Sequence, residues 1–302
     1  EQVIDRDGNI YKPLTGKTIK GVYKVTKADG THAESDEFTL EVSGQYADEG
    51  ENAKPIVIPE LAEWHGANGT FAPTEASRIV IDANASDIAT AAAEALQADY
   101  ADESGMTMEI VKDGTPQAGD FYFALTDDTS MGLMEEGYLM DVEDAITVTA
   151  ETQTGAYWAT RTILQGLKLN NFETFPKGIT RDYPLYEIRG YIMDVARRPF
   201  TMDFLEQIVK EMSWYKMNDF QVHINDNLIG LENKEDPMSA YSAFRLESSI
   251  KEGDTLTDSD GNPVTLNGEN LVYHQDLTST DLFYTKDEFR DFIQESRELG
   301  VN

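Results

Sequence analysis

The sequence predicts a multidomain chain of α/β and α+β structure: a β-sandwich fragment, then an α+β domain, then the first βα units of a truncated (β/α)8 TIM barrel. Three observations predict this order. Residues 1–46 alternate polar and apolar side chains, and the middle of the chain mixes short apolar runs with helical patterns. Two apolar runs that begin at Tyr191 and Phe220 then flank one amphipathic helical pattern, which is typical of a β-α-β unit.

The first module is short and alternates in the β manner. The alternation is clearest in Thr18–Val25 and Glu37–Val42, and the Asp-Gly pairs at 7–8 and 29–30 are typical of tight turns. Residues 1–46 are therefore predicted to be part of a β-sandwich-like module. The polar stretch 47–54 lies just before Pro55 and is predicted to be a linker.

Residues 55–186 combine strand and helix patterns and are predicted to form one α+β domain. One helix is expected to start at Ser86 or Asp87 as its N-cap and to bury Ile88 and Leu96. A second helix is expected from about Ala156 to Leu167. The strand candidates are short runs rich in β-branched and aromatic residues, at 56–58, 78–81, 120–125, 137–142 and 145–149.

Residues 187–302 are predicted to start the barrel. Thr201 can cap a first helix, and Thr285 with Glu288 has the spacing of a capping box for a second helix that stops at Gly300. The apolar positions that these two helices are expected to bury are Leu205, Ile208, Val209 and Met212, and then Phe289, Phe292, Ile293, Ser296 and Leu299. Val301 and Asn302 would begin a third strand. The long aperiodic segment between the second strand and Tyr284 is interpreted as an insertion on the catalytic face of the barrel.

Composition excludes several classes of function. The 302 residues are 40% hydrophobic, which is enough for packed cores, and a net charge of −32 argues against nucleic acid as a partner. The chain has no cysteine, so disulfides, thiolate metal sites and cysteine nucleophiles are excluded. No apolar run approaches the roughly 20 residues that span a bilayer, so no membrane-spanning segment is predicted. The chain opens on Glu1 without a signal peptide, and we expect that residue 1 is not the natural start.

Two polar side chains follow the two predicted parallel strands of the barrel. Arg197 comes after the first strand and Asp226 after the second. Because the carboxyl ends of barrel strands form the active-site face, we expect Arg197 and Asp226 to meet there. A surface arginine that pairs with any nearby acid is the simpler alternative for Arg197.

Asp194 and His223 lie in or beside the same two strands. An inward polar group of a barrel strand serves a structural hydrogen-bond network more often than it contacts substrate, so both readings stay open. A metal site built from His223, Asn225 and Asp226 is disfavoured because no second histidine lies at ligand spacing. We therefore predict no metal and no cofactor.

Two features of the long insertion also allow alternatives. The run Asp258–Asn262 superficially resembles a calcium loop, but its Asp-Gly pair between two apolar residues favours a hairpin turn. Tyr241, Phe244 and Tyr273 could stack on sugars or simply pack the insertion onto the barrel.

Several segments, taken in chain order, resemble glycoside hydrolase family 20, the β-N-acetylhexosaminidases and the lacto-N-biosidases. The run Arg189–Arg197 matches the family pattern R-G-x-x-x-D-x-x-R, Lys216–Asn218 matches K-x-N, and Gln221–Asn227 matches H-x-H-x-x-D-D in part. In the middle domain, Glu136–Val142 and Gly155–Gln165 match two motifs of the family's non-catalytic N-terminal domain. The resemblance covers about residues 55–302.

The resemblance implies roles for individual residues. Arg197 matches the family arginine that binds the outer hydroxyls of the non-reducing sugar, and Asp226 matches the aspartate that holds this arginine. It implies a retaining mechanism in which an Asp-Glu pair on a later strand uses the substrate's own acetamido group as nucleophile. No such pair occurs here in that setting, so we expect the catalytic residues beyond Asn302 and expect these 302 residues alone to be inactive.

The resemblance also leaves the substrate open. Gln221 and Asn227 stand where many members have His and Asp, which resembles a branch that includes lacto-N-biosidases and surface-anchored bacterial enzymes. We therefore expect part of an extracellular or cell-surface bacterial exo-glycosidase that removes terminal β-linked N-acetylhexosamine from a glycan. The alternatives are a lacto-N-biosidase that releases a disaccharide and a non-catalytic carbohydrate-binding or adhesin fragment.

Overall fold

The computed structural model describes residues 3–4, 8–229 and 241–302, except for the side chains of 86–88, 227–229 and 241–243. The chain forms two compact units, Glu1–Glu187 and Ile188–Asn302. Mixed sheets and helices in these units make it an α/β multidomain chain. Within the described part, none of the helices combines the length and the apolar character that crossing a bilayer requires.

The N-terminal module consists of antiparallel strand pairs. Strand β1 (Lys17–Gly21) pairs with β4 (Phe38–Val42), and β2 (Lys24–Thr26) pairs with β3 (His32–Glu34). The run from Thr18 to Val25, which alternates in the sequence, is divided between β1 and β2. The predicted turn at Gly30 is confirmed, with φ of 83°, whereas the one at residues 7–8 lies partly outside the described residues. The complete sandwich stays a prediction.

A seven-stranded mixed sheet forms the centre of the first unit. Its strands are β5 (His65–Phe71), β6 (Arg78–Ile81), β7 (Glu109–Lys112), β8 (Phe121–Leu125), β9 (Tyr138–Val142), β10 (Ile146–Ala150) and β11 (Phe175–Asp182). Their order is β5-β11-β9-β10-β8-β6-β7. The half from β10 to β7 is parallel and the half from β5 to β10 is antiparallel.

Two helices cover this sheet. Helix α1 (Ser86–Ser104) follows a 3₁₀ turn with Ala85 as its N-cap, so the predicted capping by Ser86 or Asp87 is wrong by one or two positions. Helix α2 (Gln153–Lys168) starts at Thr152, whose Oγ1 accepts a hydrogen bond from the Gly155 N–H at 3.1 Å. Residues 155–167 of α2 are all buried, which explains why its pattern is apolar on more than one face.

The two motifs of the middle domain fit together in space. A side chain at Gly155 would collide with the carbonyl oxygen of Gly137, so the glycines allow α2 to approach the sheet closely. The Tyr138 hydroxyl lies 2.6 Å from the Thr162 hydroxyl and donates to Asp182 at 2.7 Å. These motif residues therefore join the helix to the sheet.

Sequence patterns missed part of the sheet. Residues 56–58 are not a strand; instead the Gln165 amide donates to the Ile58 carbonyl and accepts from the Ile58 N–H, both at 2.8 Å. Strands β5, β7 and β11 were not predicted. The four strands predicted at 78–81, 120–125, 137–142 and 145–149 are confirmed within one residue at each end.

The segment 47–54, predicted as a linker, is anchored to the sheet. The Asn52 side-chain amide donates to the carbonyls of Gly69 at 2.7 Å and Lys177 at 2.9 Å, and the Asn52 carbonyl accepts from the Trp64 indole at 3.0 Å. Gly50 also forms a parallel bridge with Gly66. The segment is thus part of the folded unit that it was expected to precede.

The second unit contains the predicted β-α-β arrangement. Strand β12 (Gly190–Asp194) and strand β13 (Asp219–His223) are parallel, with Asp194 opposite His223. Helix α3 (Met202–Trp214) connects them and buries Leu205, Val209 and Met212, as predicted. Backbone hydrogen bonds from Asn302 to Asn218 and from Phe220 to Asn302 continue the parallel pairing beyond β13, where a third strand was expected.

Helix α4 (Lys286–Glu298) packs against the same core. Its capping box is confirmed, because Thr285 and Glu288 bond reciprocally. Phe292 and Ser296 are buried, but the prediction that Ile293 is buried is wrong, since this side chain is 39% exposed. Thr201 occupies the N-cap position of α3 without a side-chain cap bond.

The insertion contributes short antiparallel pairs. Strand β14 (Asn225–Ile229) pairs with β15 (Tyr241–Phe244), and β16 (Thr265–Leu266) pairs with β17 (Glu269–Asn270). Asp258 accepts hydrogen bonds from the N–H groups of Asp260 and Asn262, and Thr257 bridges Pro263 antiparallel. The interpretation of Asp258–Asn262 as a hairpin turn is confirmed. Residues 230–240 lie outside the described part.

Candidate functional site

Parallel pairing of β12 with β13 brings four polar residues together. Asp194 and His223 are the last residues of the two strands and are direct neighbours in the register. Arg197 lies in the turn that follows β12, and Asp226 lies at the start of β14. The four positions that the sequence singled out therefore lie at one edge of the sheet.

Arg197 is held by a carboxylate on each strand end. Its Nη1 lies 2.6 Å from Asp194 Oδ2, its Nη2 lies 2.5 Å from Asp226 Oδ2, and its backbone N–H donates to Asp194 Oδ1 at 3.0 Å. The Arg197 side chain nevertheless remains 63% exposed. Two carboxylates thus fix the guanidinium, while most of the Arg197 side chain is exposed to solvent.

The charges of this cluster stabilise one another. Burial acts most strongly on the Asp194 carboxyl and would raise its pKa, but the hydrogen bonds and charge of Arg197, with a smaller effect of His223, hold the pKa below its ordinary value of 3.8. The hydrogen bond to Asp194, with the charge of Asp226, raises the pKa of Arg197. Arg197 and Asp194 are accordingly a fully charged pair at neutral pH.

His223 contacts the other carboxylate. Its Nε2 lies 3.1 Å from Asp226 Oδ2, and the Asp226 side chain is only 14% exposed. The His223 carbonyl accepts hydrogen bonds from the N–H groups of Val195 and Ala196. His223 therefore joins the end of β13 to the turn that carries Arg197, which agrees with the hydrogen-bond network expected for it.

Asp194, His223 and Asp226 offer ligand atoms within 4.8 Å of one another, so this trio could reach a common metal ion. Both carboxylates, however, already contact the Arg197 guanidinium, and a divalent cation would have to displace that charge. The donor set therefore suits an arginine better than a metal. The absence of a metal stays a prediction.

An exposed guanidinium fixed by carboxylates is suited to binding neutral polyols. Its planar N–H donors match two adjacent hydroxyl oxygens, and the carboxylates keep it in one rotamer. Asp194 and Asp226 are engaged with Arg197. The cluster therefore has the donors and the fixed geometry that binding a sugar requires.

Sequence reasoning missed Arg245, which lies beside this cluster. Arg245 is fully buried and donates to the backbone of the turn between Asp194 and Arg197. A single arginine after β15 carries no signal in the sequence that separates it from a surface arginine. Of the proposed stacking residues, Phe244 and Tyr273 are partly buried within the insertion, and the Tyr241 side chain lies outside the described part.

Comparison with known proteins adds relatives for both units. Residues 54–183 match the family model described as glycosyl hydrolase family 20, domain 2, and residues 186–302 match the model of the family 20 catalytic domain. The chain is 31% identical over 91 residues to an N,N'-diacetylchitobiase of Vibrio harveyi, covering 30% of this chain and 10% of that protein. It is 24% identical over 249 residues to a β-hexosaminidase of Porphyromonas gingivalis, covering 79% and 28%.

Solved structures share the fold. The family 20 β-N-acetylhexosaminidase from Streptomyces coelicolor A3(2) superimposes with a TM-score of 0.59 at 19% identity, over 83% of this chain and 46% of that one. A chitobiase of Flavobacterium johnsoniae gives a TM-score of 0.59 at 20% identity, over 81% and 33%. The chain thus spans less than half the length of these relatives. With both family models matched in order over nearly all residues after the first module, the chain belongs to glycoside hydrolase family 20.

Proposed function

We propose that this chain is a portion of a retaining exo-glycosidase that removes terminal β-linked N-acetylhexosamine from glycans. The observation that carries the proposal is the contact of Arg197 with Asp226 at the ends of two parallel strands, with Arg197 open to solvent. Membership of family 20 supports it, as do relatives that are named β-hexosaminidase and chitobiase. The strands β12 and β13 are then the first two strands of a TIM barrel.

In this proposal Arg197 binds the outer hydroxyls of the terminal sugar and Asp226 holds Arg197. Each charge-assisted hydrogen bond between a guanidinium and a hydroxyl is worth about 1.5–3 kcal/mol. Because Asp194 and Asp226 already fix the guanidinium, little side-chain entropy is lost when the sugar binds. An arginine that is fixed in this way favours binding of the single sugar at the end of a glycan.

The proposed chemistry uses the substrate's acetamido carbonyl as the nucleophile, oriented by an Asp and assisted by a Glu that protonates the leaving oxygen. Three of the four Asp-Glu pairs in the chain belong to the first unit, and the fourth, Asp287-Glu288, begins helix α4, where Glu288 completes the capping box. We therefore propose that the catalytic pair is contributed by residues outside this chain.

The proposed partner is a glycan that ends in N-acetylhexosamine, and the proposed location is extracellular or on the cell surface of a bacterium. A neutral sugar is compatible with the net charge of −32, whereas polyanions would be repelled. An Arg197 that can bind the 3-hydroxyl favours plain hexosaminidase activity, because a lacto-N-biosidase must accommodate a galactose at that hydroxyl. The lacto-N-biosidase activity is therefore the second candidate.

A hydrolysis assay tests the proposal. We expect the full-length protein to hydrolyse nitrophenyl β-N-acetylglucosaminide and the 302 residues alone to show no turnover. In the full-length protein, Arg197→Ala should lower kcat/KM by about a hundredfold or more, because at least two charge-assisted bonds are lost. The matched control is Arg290→Ala, since Arg290 is an exposed arginine that pairs with Asp287 on the surface of α4.

Three outcomes would contradict parts of the proposal. Robust turnover by the 302 residues would place the catalytic pair inside this chain. Release of a disaccharide from lacto-N-tetraose, without release of single N-acetylhexosamine, would select the lacto-N-biosidase. Binding of N-acetylglucosamine without hydrolysis by the full-length protein would favour a carbohydrate-binding or adhesin function.

A further inference from the structure

Arg245 is a buried cation whose partners reveal what it does. Its side chain is 0% exposed, so its N–H donors must find acceptors inside the protein. Nη1 pairs with Asp281 and also donates to the Leu282 carbonyl at 3.0 Å. Burying a guanidinium costs several kcal/mol unless its remaining donors are satisfied as well, so the groups that satisfy them matter.

The remaining donors of Arg245 go to the turn that carries Arg197. Nε lies 3.1 Å from the Val195 carbonyl oxygen and 3.2 Å from that of Ala196, and Nη2 lies 2.7 Å from the Ala196 oxygen. The N–H groups of Val195 and Ala196 bond to His223 on the other side. The turn is thus held from both sides, immediately before Arg197.

The backbone of the same segment fixes the strand end that carries Asp226. The Arg245 N–H donates to the Ile224 carbonyl at 2.8 Å, and β15 places Phe244 opposite Asn225 and Ala243 opposite Asp226. The Tyr284 N–H donates to the Arg245 carbonyl at 2.6 Å and anchors the segment in turn. Residues 243–245 therefore contact the turn just before Arg197 and the strand that carries Asp226.

We propose that Arg245 is a positioning residue for the sugar site. It touches no substrate; its guanidinium sets the path of the Val195–Ala196 turn, and thereby the distance at which Arg197 meets Asp226. This inference rests on the proposed function and deepens it. A displacement of about 1 Å in a binding group is enough to lose much of its contribution to binding. The buried Arg245 can therefore have a large influence on binding by the exposed Arg197.

The experiment uses two substitutions in the full-length protein. Arg245→Lys keeps a buried charge beside Asp281 but lacks the planar fork that reaches both carbonyls, and Arg245→Met removes the charge. Arg290→Met is the control, since it removes an exposed guanidinium that also has one aspartate partner. Each substitution is made alone and in an Arg197→Ala background.

If Arg245 acts through Arg197, Arg245→Lys should raise the KM for nitrophenyl β-N-acetylglucosaminide by about tenfold, with a smaller effect on kcat, while Arg290→Met changes neither. In the Arg197→Ala background the same Arg245→Lys change should alter KM by less than about twofold. An equal loss in both backgrounds would overturn the proposal. If neither Arg245 variant folds, the proposal is also overturned, because Arg245 would then have a purely structural role.

A crystal structure of the Arg245→Lys protein separates this inference from the proposed function. The contact between Arg197 Nη2 and Asp226 Oδ2, 2.5 Å in the parent chain, should be lost or lengthened beyond salt-bridge distance. An unchanged contact would overturn the positioning role whatever the activity. Conversely, an unmodified protein that neither binds nor hydrolyses N-acetylglucosaminides would refute the proposed function and leave the crystal measurement to decide the role of Arg245.

Discussion

Arg197 combines high solvent exposure with two close carboxylate partners. It is 63% exposed, yet both of its terminal nitrogens lie within 2.6 Å of carboxylate oxygens on two different strand ends. A side chain that keeps a long, flexible stem in one conformation without being buried must be fixed by such partners. The two acids therefore fix the position of the Arg197 guanidinium as well as neutralising its charge.

Asp194 gives this site a predictable pH dependence. Its pKa is lowered, so its contribution to holding Arg197 is complete above about pH 4 and is lost as the pH falls through the lowered pKa. We expect Asp194→Asn to weaken binding of N-acetylglucosamine by about two- to fivefold at pH 7, the range of a partly exposed ion pair. The measurement is a calorimetric titration of the full-length protein at several pH values.

The control for that titration is the ratio of the affinities of the unmodified protein and Asp194→Asn for N-acetylglucosamine at each pH. As the pH falls through the lowered pKa of Asp194, the affinity of the unmodified protein should approach that of Asp194→Asn, because both then lack the charge at residue 194. A ratio of the two affinities that stays constant even after Asp194 is protonated would show that the Asp194 carboxylate does not support Arg197.

The sequence predicts the proximity of these residues because each lies next to a recognisable strand end. Their role in binding a sugar stays a prediction. Arg197 and Asp226 could be placed together from the parallel pairing alone, and the structure shows that contact. Arg245 could not be predicted in this way. Its effect depends on the path of an insertion that returns to the strand ends, and neither periodicity nor composition encodes that path.

At the scale of single elements, the first turns of α3 and α4 form a natural comparison. Both helices have threonine at the N-cap, but only Thr285 makes a side-chain cap bond, whereas Thr201 makes none. We expect Thr285→Ala to lower the free energy of unfolding of the Ile188–Asn302 unit by about 1 kcal/mol. Thr201→Ala should cost clearly less, because the lost hydroxyl satisfies no helix N–H group.

Chemical denaturation of the two variants checks this expectation. Equal losses of stability would mean that the hydrogen bond to the Glu288 N–H contributes nothing beyond the propensity of threonine at an N-cap. The capping box itself was visible in the sequence, because its two residues are three positions apart and require no tertiary information.

Other elements could not be predicted from local patterns. Strand β11 contains Pro176, Lys177 and Gly178, all poor strand residues, and its pairing shifts register at that point. Between β5 and β9 it is held by long-range neighbours, which override local propensity. At residues 56–58 the error is the reverse, because a strand was predicted from β-branched residues and none forms. The Ile58 backbone bonds to the Gln165 side chain instead of to a neighbouring strand.

At the scale of the whole molecule, a hydrogen bond from Leu14 to a buried ion pair joins the N-terminal module to the rest of the first unit. The side chains of Glu63 and Arg181 are 0% and 3% exposed and meet at 2.7 Å. Glu63 also accepts hydrogen bonds from the Leu14 N–H at 2.7 Å and from the Tyr183 hydroxyl at 2.9 Å. Leu14 itself is fully buried, so the module is an integral part of this unit.

We expect Glu63→Gln to lower the free energy of unfolding of the Glu1–Glu187 unit by about 3–5 kcal/mol, since the buried Arg181 would lose its ion pair with Glu63. Residues before Leu14 should then become more sensitive to limited proteolysis. The exposed pair Arg290–Asp287 offers the contrast, because Asp287→Asn should cost less than about 1 kcal/mol. A small effect of Glu63→Gln in thermal unfolding would mean that the buried pair does not hold the module.

The most direct test of the account is a crystal structure of the full-length protein with N-acetylglucosamine bound. We predict that Arg197 retains its contacts with Asp194 and Asp226 and that its guanidinium donates to two adjacent sugar hydroxyls at about 2.9 Å. A sugar bound away from Arg197, or an Arg197 that leaves Asp226 when the sugar binds, would contradict the account.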